Sequence, residues 1–146
     1  MRLSEQTEPA MRTAEAIKDL LKAAGLRPTR QRQALGELLF TGKDRHLTAE
    51  LLHDEARRAG ISVSVATVYN ALHQFTEAGL LHEVVVDGSK THFDTNTSSH
   101  HHFLFEDGSL VDIPAGTLQV SRLPEPPDGT TVARVDILVR LAKTGR

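Results

Sequence analysis

The chain repeats one local pattern four times before residue 80, and each repeat predicts a helix. The first stretch carries Ile17, Leu20, Leu21 and Ala24, which have the i, i+3, i+4, i+7 spacing of an amphipathic helix, and Gly25 follows. Three further apolar stretches each begin at a hydroxyl side chain that can cap a helix, and each ends before a glycine. They run from Thr29 to Gly42, from Thr48 to Gly60 and from Ser64 to Gly79. The pattern therefore predicts four helices with defined ends.

The pattern changes after Gly79 from helical to strand-like. Residues 81–86 are rich in β-formers, Asp87-Gly88 is typical of a tight hairpin turn, and residues 90–94 return as a second strand. Helices followed by a two-stranded hairpin have the order of a winged helix-turn-helix, and the short link 61–63 suits the turn before the fourth helix. In that motif the fourth helix enters the major groove of DNA.

The remaining residues predict a second, smaller domain. Residues 95–99 are polar and lack an apolar anchor, which is typical of a hinge. We then expect a hairpin of residues 102–106 and 109–113 around Asp107-Gly108, a weak helix over 115–123, a loop over 124–129 and a strand over 132–141. These elements have too small a core to stand alone, so we expect a second copy of the chain to complete it.

The predicted fold class is α+β. We divide the chain into a flexible N-terminal tail (1–14), a winged-helix DNA-binding domain (15–94), a hinge (95–99) and a small C-terminal α/β dimerisation and sensing domain (100–146).

The chain contains no cysteine, which excludes disulfides, thiolate zinc sites and cysteine nucleophiles. No run of 18 apolar residues is present, and Glu5 and Glu8 lie where a signal peptide would be apolar, so we expect a cytoplasmic protein without a membrane partner. Neither HExxH, GxSxG nor a phosphate-binding loop occurs, so we expect a protein that is not an enzyme. A metalloenzyme and a pure protein-interaction module are the alternatives.

The polar side of the fourth helix carries residue types that contact DNA. With Val68 and Leu72 turned to the core, Asn70 lies on the opposite side, and Tyr69 and Thr67 flank it near the N-terminal end. Asn can bond adenine, Tyr can pack on thymine methyl groups or bond phosphate, and Thr can do either. An ordinary surface helix would show the same pattern. The preceding turn and the following hairpin favour DNA binding.

The run His100-His101-His102 is the main candidate for metal binding. On an extended segment alternate side chains share a face, so His100 and His102 point together and His101 points away. Two imidazoles at i, i+2 form a usable metal pair that is two ligands short of a tetrahedral site. If the hinge folds the two domains together, the candidates for the missing ligands are His46, Asp94 and Asp112.

Several short motifs then point to a known family: LRPTRQR (26–32), HLTAE (46–50), ATVY (66–69), FTEAGL (75–80), FD (93–94) and HHH (100–102). With this order and spacing, residues 21–113 resemble the ferric uptake regulator (Fur) family. The resemblance implies a homodimer that binds a double-stranded DNA operator and responds to Fe²⁺, Mn²⁺ or Zn²⁺. The metal ligands that it implies are His46, Asp94, His100, His102 and Asp112, with Asp at both acid positions where Glu is common.

The same resemblance completes the predicted DNA-binding set. Its members are Arg27, Arg32, Ser64, Thr67, Tyr69 and Asn70. Arg27 would reach the DNA backbone or the minor groove, and Arg32 would contact a phosphate. Tyr69 and Asn70 would read bases of an inverted repeat.

Two departures from the family pattern refine the hypothesis. Without cysteine, the structural Cys₄ zinc of many members cannot form. Asn70 follows the motif tyrosine where many members have Arg, and this resembles the iron response regulator (Irr) branch, whose histidine triplet is proposed to bind haem. The resemblance implies a repressor of iron and haem homeostasis with haem at His100, His101 and His102. The alternative is a regulator for which Fe²⁺, Mn²⁺ or Zn²⁺ is a co-repressor.

Overall fold

The computed structural model describes residues 13–86, 91–98 and 100–144. They separate into two compact units that divide between Thr97 and Ser98, inside the segment that we expect to be a hinge. The predicted α+β class is confirmed, because the chain combines helices with two small sheets. No helix of the described residues has the length and apolar character needed to cross a membrane.

The first unit contains the four predicted helices. They are α1 (Ala14–Ala23), α2 (Arg30–Leu39), α3 (Ala49–Arg58) and α4 (Val65–Glu77). The predicted caps are confirmed, since the hydroxyl oxygens of Thr29, Thr48 and Ser64 each accept a bond from the backbone amide three residues later. Gly79 follows α4 with φ of +84°, a conformation that glycine adopts without the steric cost of a Cβ.

The apolar stripes of the helices meet in one core. Its largest fully buried side chains include Leu21 from α1, Leu39 from α2, Leu52 from α3 and Phe75 from α4. The ring of Phe75 packs edge-on against that of Phe40, with 5.5 Å between ring centroids. Burial of each such side chain stabilises the fold by about 1.5–3 kcal/mol, so the core holds α4 firmly against the other helices.

A three-stranded antiparallel sheet completes the first unit. It consists of β1 (His46–Leu47), β2 (His82–Val85) and β3 (Thr91–Asp94), in the order β1-β3-β2. Strands β2 and β3 are the predicted hairpin, and their turn at Asp87-Gly88 lies outside the described residues. Strand β1 was not predicted, because two residues are too short for an alternating pattern. It pairs with β3 so that His46 lies opposite Asp94.

The second unit is a small mixed sheet. Strands β4 (His102–Leu104) and β5 (Leu110–Asp112) form the predicted antiparallel hairpin, and β6 (Leu138–Arg140) runs parallel to β4 on its other side. The strand predicted over 132–141 is thus confirmed only in its last part.

The predicted helix over 115–123 is wrong. A single turn at residues 114–117 replaces it, and the described part of the second unit (residues 98 and 100–144) contains no helix, which corrects the expected α/β character of this domain. Gly116 has φ of +84°, which is incompatible with a right-handed helix, and Val120 and Leu123 remain exposed. A helix this short needs an apolar surface to pack on, and the described residues bury neither of these side chains.

Most of the predicted tail (1–14) lies outside the described residues. Thr13 and Ala14 do not belong to a tail, because Thr13 caps α1 and Ala14 begins it.

Candidate metal centre and nucleic-acid interface

The predicted metal ligands fall into two groups, one in each unit. In the first unit, the β1–β3 register places the His46 Nε2 3.2 Å from the Asp94 Oδ2. The Asp94 side chain is fully buried, and its Oδ1 accepts a bond of 2.8 Å from the backbone amide of Asn96. One carboxylate oxygen is thus fixed by the backbone while the other faces an imidazole. This pair offers one imidazole nitrogen and one carboxylate oxygen to a cation.

Arg45 anchors the strand that carries His46. Its guanidinium donates to the Leu38 carbonyl (2.8 Å) and to both carboxylate oxygens of Glu55, at 3.1 and 2.7 Å. Its backbone exchanges two bonds with Thr95: the Arg45 amide donates to the Thr95 Oγ1 (2.9 Å), and the Thr95 amide donates to the Arg45 carbonyl (3.0 Å). Strand β1 is therefore tied to α2, α3 and the residue after β3. Sequence reasoning missed Arg45, because its partners are distant along the chain.

In the second unit, His100, His102 and Asp112 come together. The His102–Asp112 pairing of β4 with β5 places the Asp112 Oδ1 3.4 Å from the His100 Nε2 and 3.5 Å from the His102 Nε2. One potential ligand atom of each residue lies within 4.8 Å of those of the other two. Both imidazoles are almost fully buried, at 9% and 5% exposure.

A backbone carbonyl fixes the orientation of His100. The His100 Nδ1 lies 2.8 Å from the Ser98 carbonyl oxygen, which can only accept, so Nδ1 carries the proton. The other ring nitrogen, Nε2, faces the Asp112 Oδ1. Metal-binding histidines commonly have this arrangement, in which the second ring nitrogen donates to a carbonyl.

His101 takes a different direction from its neighbours, in agreement with the alternation. Its Nδ1 accepts a bond of 3.1 Å from the backbone amide of Ile137, which fastens the chain before β6. The three imidazoles therefore do not share one face. Haem binding by the triplet stays a prediction.

The chemistry of the donors fits a borderline divalent cation. Imidazole suits zinc and iron, and carboxylate suits manganese and other hard cations. Neither group alone supplies the four ligands of a closed tetrahedral site. The donor types present therefore fit Fe²⁺, Mn²⁺ or Zn²⁺.

The N-terminal end of α4 contains the predicted base-reading residues. Asn70 is exposed and Tyr69 is half-buried. The Ser64 hydroxyl accepts from the Thr67 amide and donates to the Thr67 Oγ1, so these two predicted DNA-binding residues also form the helix cap. Ser64 and Thr67 thus have a structural role in the cap. Their DNA contacts stay a prediction.

His73 supports the ring of Tyr69. Sequence reasoning missed this role of His73. The two rings stack with 6.1 Å between centroids and 24° between planes. His73 in turn contacts the buried ring of Phe93 edge-on at 6.0 Å. The i, i+4 spacing of the first pair is the only sequence signal for this contact.

The two predicted DNA-binding arginines differ in their exposure and in their contacts. Arg27 is exposed, whereas Arg32 is half-buried and bonded to Gln74 and to the Arg27 carbonyl. Arg32 borders an open cleft of about 310 Å³, whose other lining residues are Thr29, Gln31, Thr67, Asn70, Ala71 and Gln74.

Comparison with known proteins gives consistent matches. The family model described as "Ferric uptake regulator family" matches residues 23–120. The peroxide-responsive repressors of Staphylococcus epidermidis and Staphylococcus aureus (strain Mu50) are each 37% identical over 93 residues, which is 63% of this chain. This chain spans about three fifths of their length, 61% and 62% respectively.

Two solved structures share the fold. The ferric uptake regulator of Pseudomonas aeruginosa with manganese has a TM-score of 0.66 at 24% identity, over 88% of this chain and 98% of that one. The ferric uptake regulator of Vibrio cholerae has a TM-score of 0.65 at 23% identity, over 84% and 96% of the two chains.

Proposed function

The chain belongs to the ferric uptake regulator family, and from this premise we propose that it is a transcription regulator that binds operator DNA as a homodimer in response to a metal ion. The family and the names of the relatives, which are repressors and regulators, agree with the expectation that the chain is not an enzyme. A protein that regulates transcription in bacteria acts in the cytoplasm, where we place this one.

The two groups of donors are the two halves of one metal centre. His46 and Asp94 supply the half in the first unit, and His100, His102 and Asp112 supply the half in the second. The observation that supports this most strongly is that each half is preordered and yet has too few ligands. A bound Fe²⁺, Mn²⁺ or Zn²⁺ would supply a positive charge that draws both halves together. Ligands from both sides of 95–99 then favour one arrangement of the units, and we propose that this arrangement binds DNA.

The first unit acts as a winged helix-turn-helix. Helices α3 and α4 form the helix-turn-helix, β2 and β3 form the wing, and α4 enters the major groove. Tyr69 and Asn70 read base edges, and Arg27 reaches the backbone or the minor groove. The second units of two chains pair, so that two copies of α4 face the two halves of an inverted repeat.

The test uses metal titration of DNA binding. An operator is first selected from random DNA by the metal-loaded protein, and binding is then followed by fluorescence anisotropy while Mn²⁺, Zn²⁺ or anaerobic Fe²⁺ is added. Asp94→Asn keeps the shape of the buried ligand and removes its charge. We expect the metal concentration for half-maximal DNA binding to rise by about 10–100-fold or more.

Asp128→Asn is the matched control, since Asp128 is an exposed aspartate in a loop. It should titrate like the unmodified chain. If Asp94→Asn and Asp128→Asn require the same metal concentration, the assignment of the metal centre is wrong.

A peroxide response is the second candidate, favoured by the names of the curated relatives. Fe²⁺ can reduce hydrogen peroxide, whereas Zn²⁺ has no redox chemistry. Peroxide is therefore added to the protein–DNA complex formed with either metal. Release of DNA from the Fe²⁺ form alone, prevented by catalase, would support this candidate. Equal behaviour of the two forms would exclude it.

Haem is the signal that the resemblance to the iron response regulator branch implies. Titration of haem into the apo chain should give a Soret band, and haem should weaken rather than strengthen DNA binding. Replacement of His100, His101 and His102 by Ala should abolish both effects. A Soret band that survives this replacement would place haem elsewhere.

A further inference from the structure

Arg32 joins two segments that the proposed function places on DNA. Its Nε and Nη2 donate to the Gln74 Oε1 on α4, at 3.0 and 2.8 Å. Its Nη1 donates to the carbonyl of Arg27 at 2.9 Å. All three nitrogens of the guanidinium are thus engaged within the protein.

This arrangement depends on the shape of the arginine side chain. The guanidinium is planar and rigid, so two donors that converge on one amide oxygen and a third on a carbonyl fix the relative positions of the three groups. Arg32 and Gln74 are both half-buried, which limits the competition of water for these bonds. A lysine would keep the charge and lose the geometry.

Gln74 lies where a small movement of α4 would affect base reading. It follows Asn70 by one helical turn, so the two side chains lie on the same side of α4. The Ser64 cap fixes the N-terminal end of the helix, and the bonds to Arg32 fix its C-terminal part. The same guanidinium also binds the Arg27 carbonyl, so Arg32 links Arg27 to α4.

We propose that Arg32 is a positioning residue, which sets the distance between Arg27 and α4 and thereby the selectivity for the operator. This replaces the phosphate contact that the resemblance implies for Arg32, and it rests on the proposed DNA binding by α4. Arg32 acts through Gln74 and through the backbone of Arg27, and it touches no DNA itself.

The experiment compares Arg32→Lys, Gln74→Met and the double variant in the full chain, with metal, on the selected operator and on random duplex DNA. Lysine can replace a phosphate contact, but it cannot form the three bonds that the Arg32 guanidinium makes to Gln74 and to the Arg27 carbonyl. We expect each single variant to bind the operator about tenfold more weakly and random DNA less than about twofold more weakly. The double variant should bind the operator about tenfold more weakly, rather than a hundredfold, because both changes remove the same bonds. Arg30→Lys, an exposed arginine in the same helical turn, is the control.

Salt dependence separates positioning from a phosphate contact. We expect the slope of log K against log salt to be unchanged in Gln74→Met and in Arg32→Ala. Loss of a phosphate contact in Arg32→Ala would instead lower the slope by about 0.9 and weaken binding to both DNAs equally. That result, or wild-type operator binding by Arg32→Lys, would overturn the inference while the proposed function stands.

If the unmodified chain binds no operator in any metal state, the proposed function fails and the link is judged by unfolding. Arg32→Lys and Gln74→Met should each lower the urea midpoint, and the double variant should be no less stable than the weaker single variant. Additive losses would overturn the link itself.

Discussion

Replacement of Glu55 by glutamine tests how strongly Arg45 holds β1. The carboxylate forms a two-bonded fork with Arg45, and the two side chains are only 22% and 27% exposed. Hydrogen bonds to charged groups contribute about 1.5–3 kcal/mol when they are protected from water. The partial exposure lowers this value, and glutamine keeps one acceptor for Arg45. We therefore expect Glu55→Gln to lower the free energy of unfolding by about 1–1.5 kcal/mol.

The assay is urea unfolding at pH 7, followed by tyrosine fluorescence. The chain has one tyrosine and no tryptophan, and Tyr69 lies in the first unit, so the signal reports the unit that contains the fork. In thermal unfolding the same loss corresponds to about 4–12 °C for a unit of this size.

A second ion pair on the same helix provides the control. Asp54 pairs with Arg57 and Arg58, whose side chains are 69% and 73% exposed. Asp54→Asn should therefore cost less than about 0.5 kcal/mol. If Glu55→Gln is no more destabilising than Asp54→Asn, the fork holds β1 no better than a surface ion pair and the reasoning is refuted.

Three further changes test other parts of the structure. Gly36→Val should destabilise the first unit by about 1–3 kcal/mol in the same urea assay, since an added Cβ would lie 3.0 Å from the Ile17 Cγ2; a stability gain would contradict this. Thr48→Ala should cost about 1 kcal/mol of unfolding free energy through loss of the α3 cap, and an unchanged midpoint would count against it. Bonds from the Ser109 hydroxyl and amide lower the pKa of Asp107 below its ordinary value of 3.8, so any stability they add is present at neutral pH and is lost as the pH falls through the lowered pKa. Ser109→Ala should raise that pKa in an NMR titration of the carboxyl carbon, and no change would refute the cause.

The parts of the fold that the sequence predicts are those determined by neighbouring residues. Thr29, Thr48 and Ser64 cap helices whose first turns they precede, and the apolar stripes repeat at helical spacing within each segment. Strand β1 is different, since His46 acquires its strand conformation by pairing with Asp94. No local pattern contains that information.

The same distinction separates the candidate site residues that were predicted from those that were missed. Motif resemblance was enough to name the histidines and acids that the structure gathers into the two candidate groups, because those residues lie in short recognisable runs. Arg45 and Gln74 were missed, because their partners lie 10 and 42 residues away along the chain. The error at 115–123 has the opposite origin, since a local helical pattern was present there without a core to stabilise it.

The parallel pairing of β6 with β4 has a consequence for the order in which the molecule assembles during synthesis. Leu138 joins His102 across a loop of about 35 residues, and closing such a loop costs entropy before any strand bond forms. A ribosome adds about 5–20 residues per second, so the first unit emerges seconds before the last strand of the second. The sheet that carries His102 is therefore completed after the first unit has emerged, and until β6 pairs, one edge of β4 is open to other nascent chains.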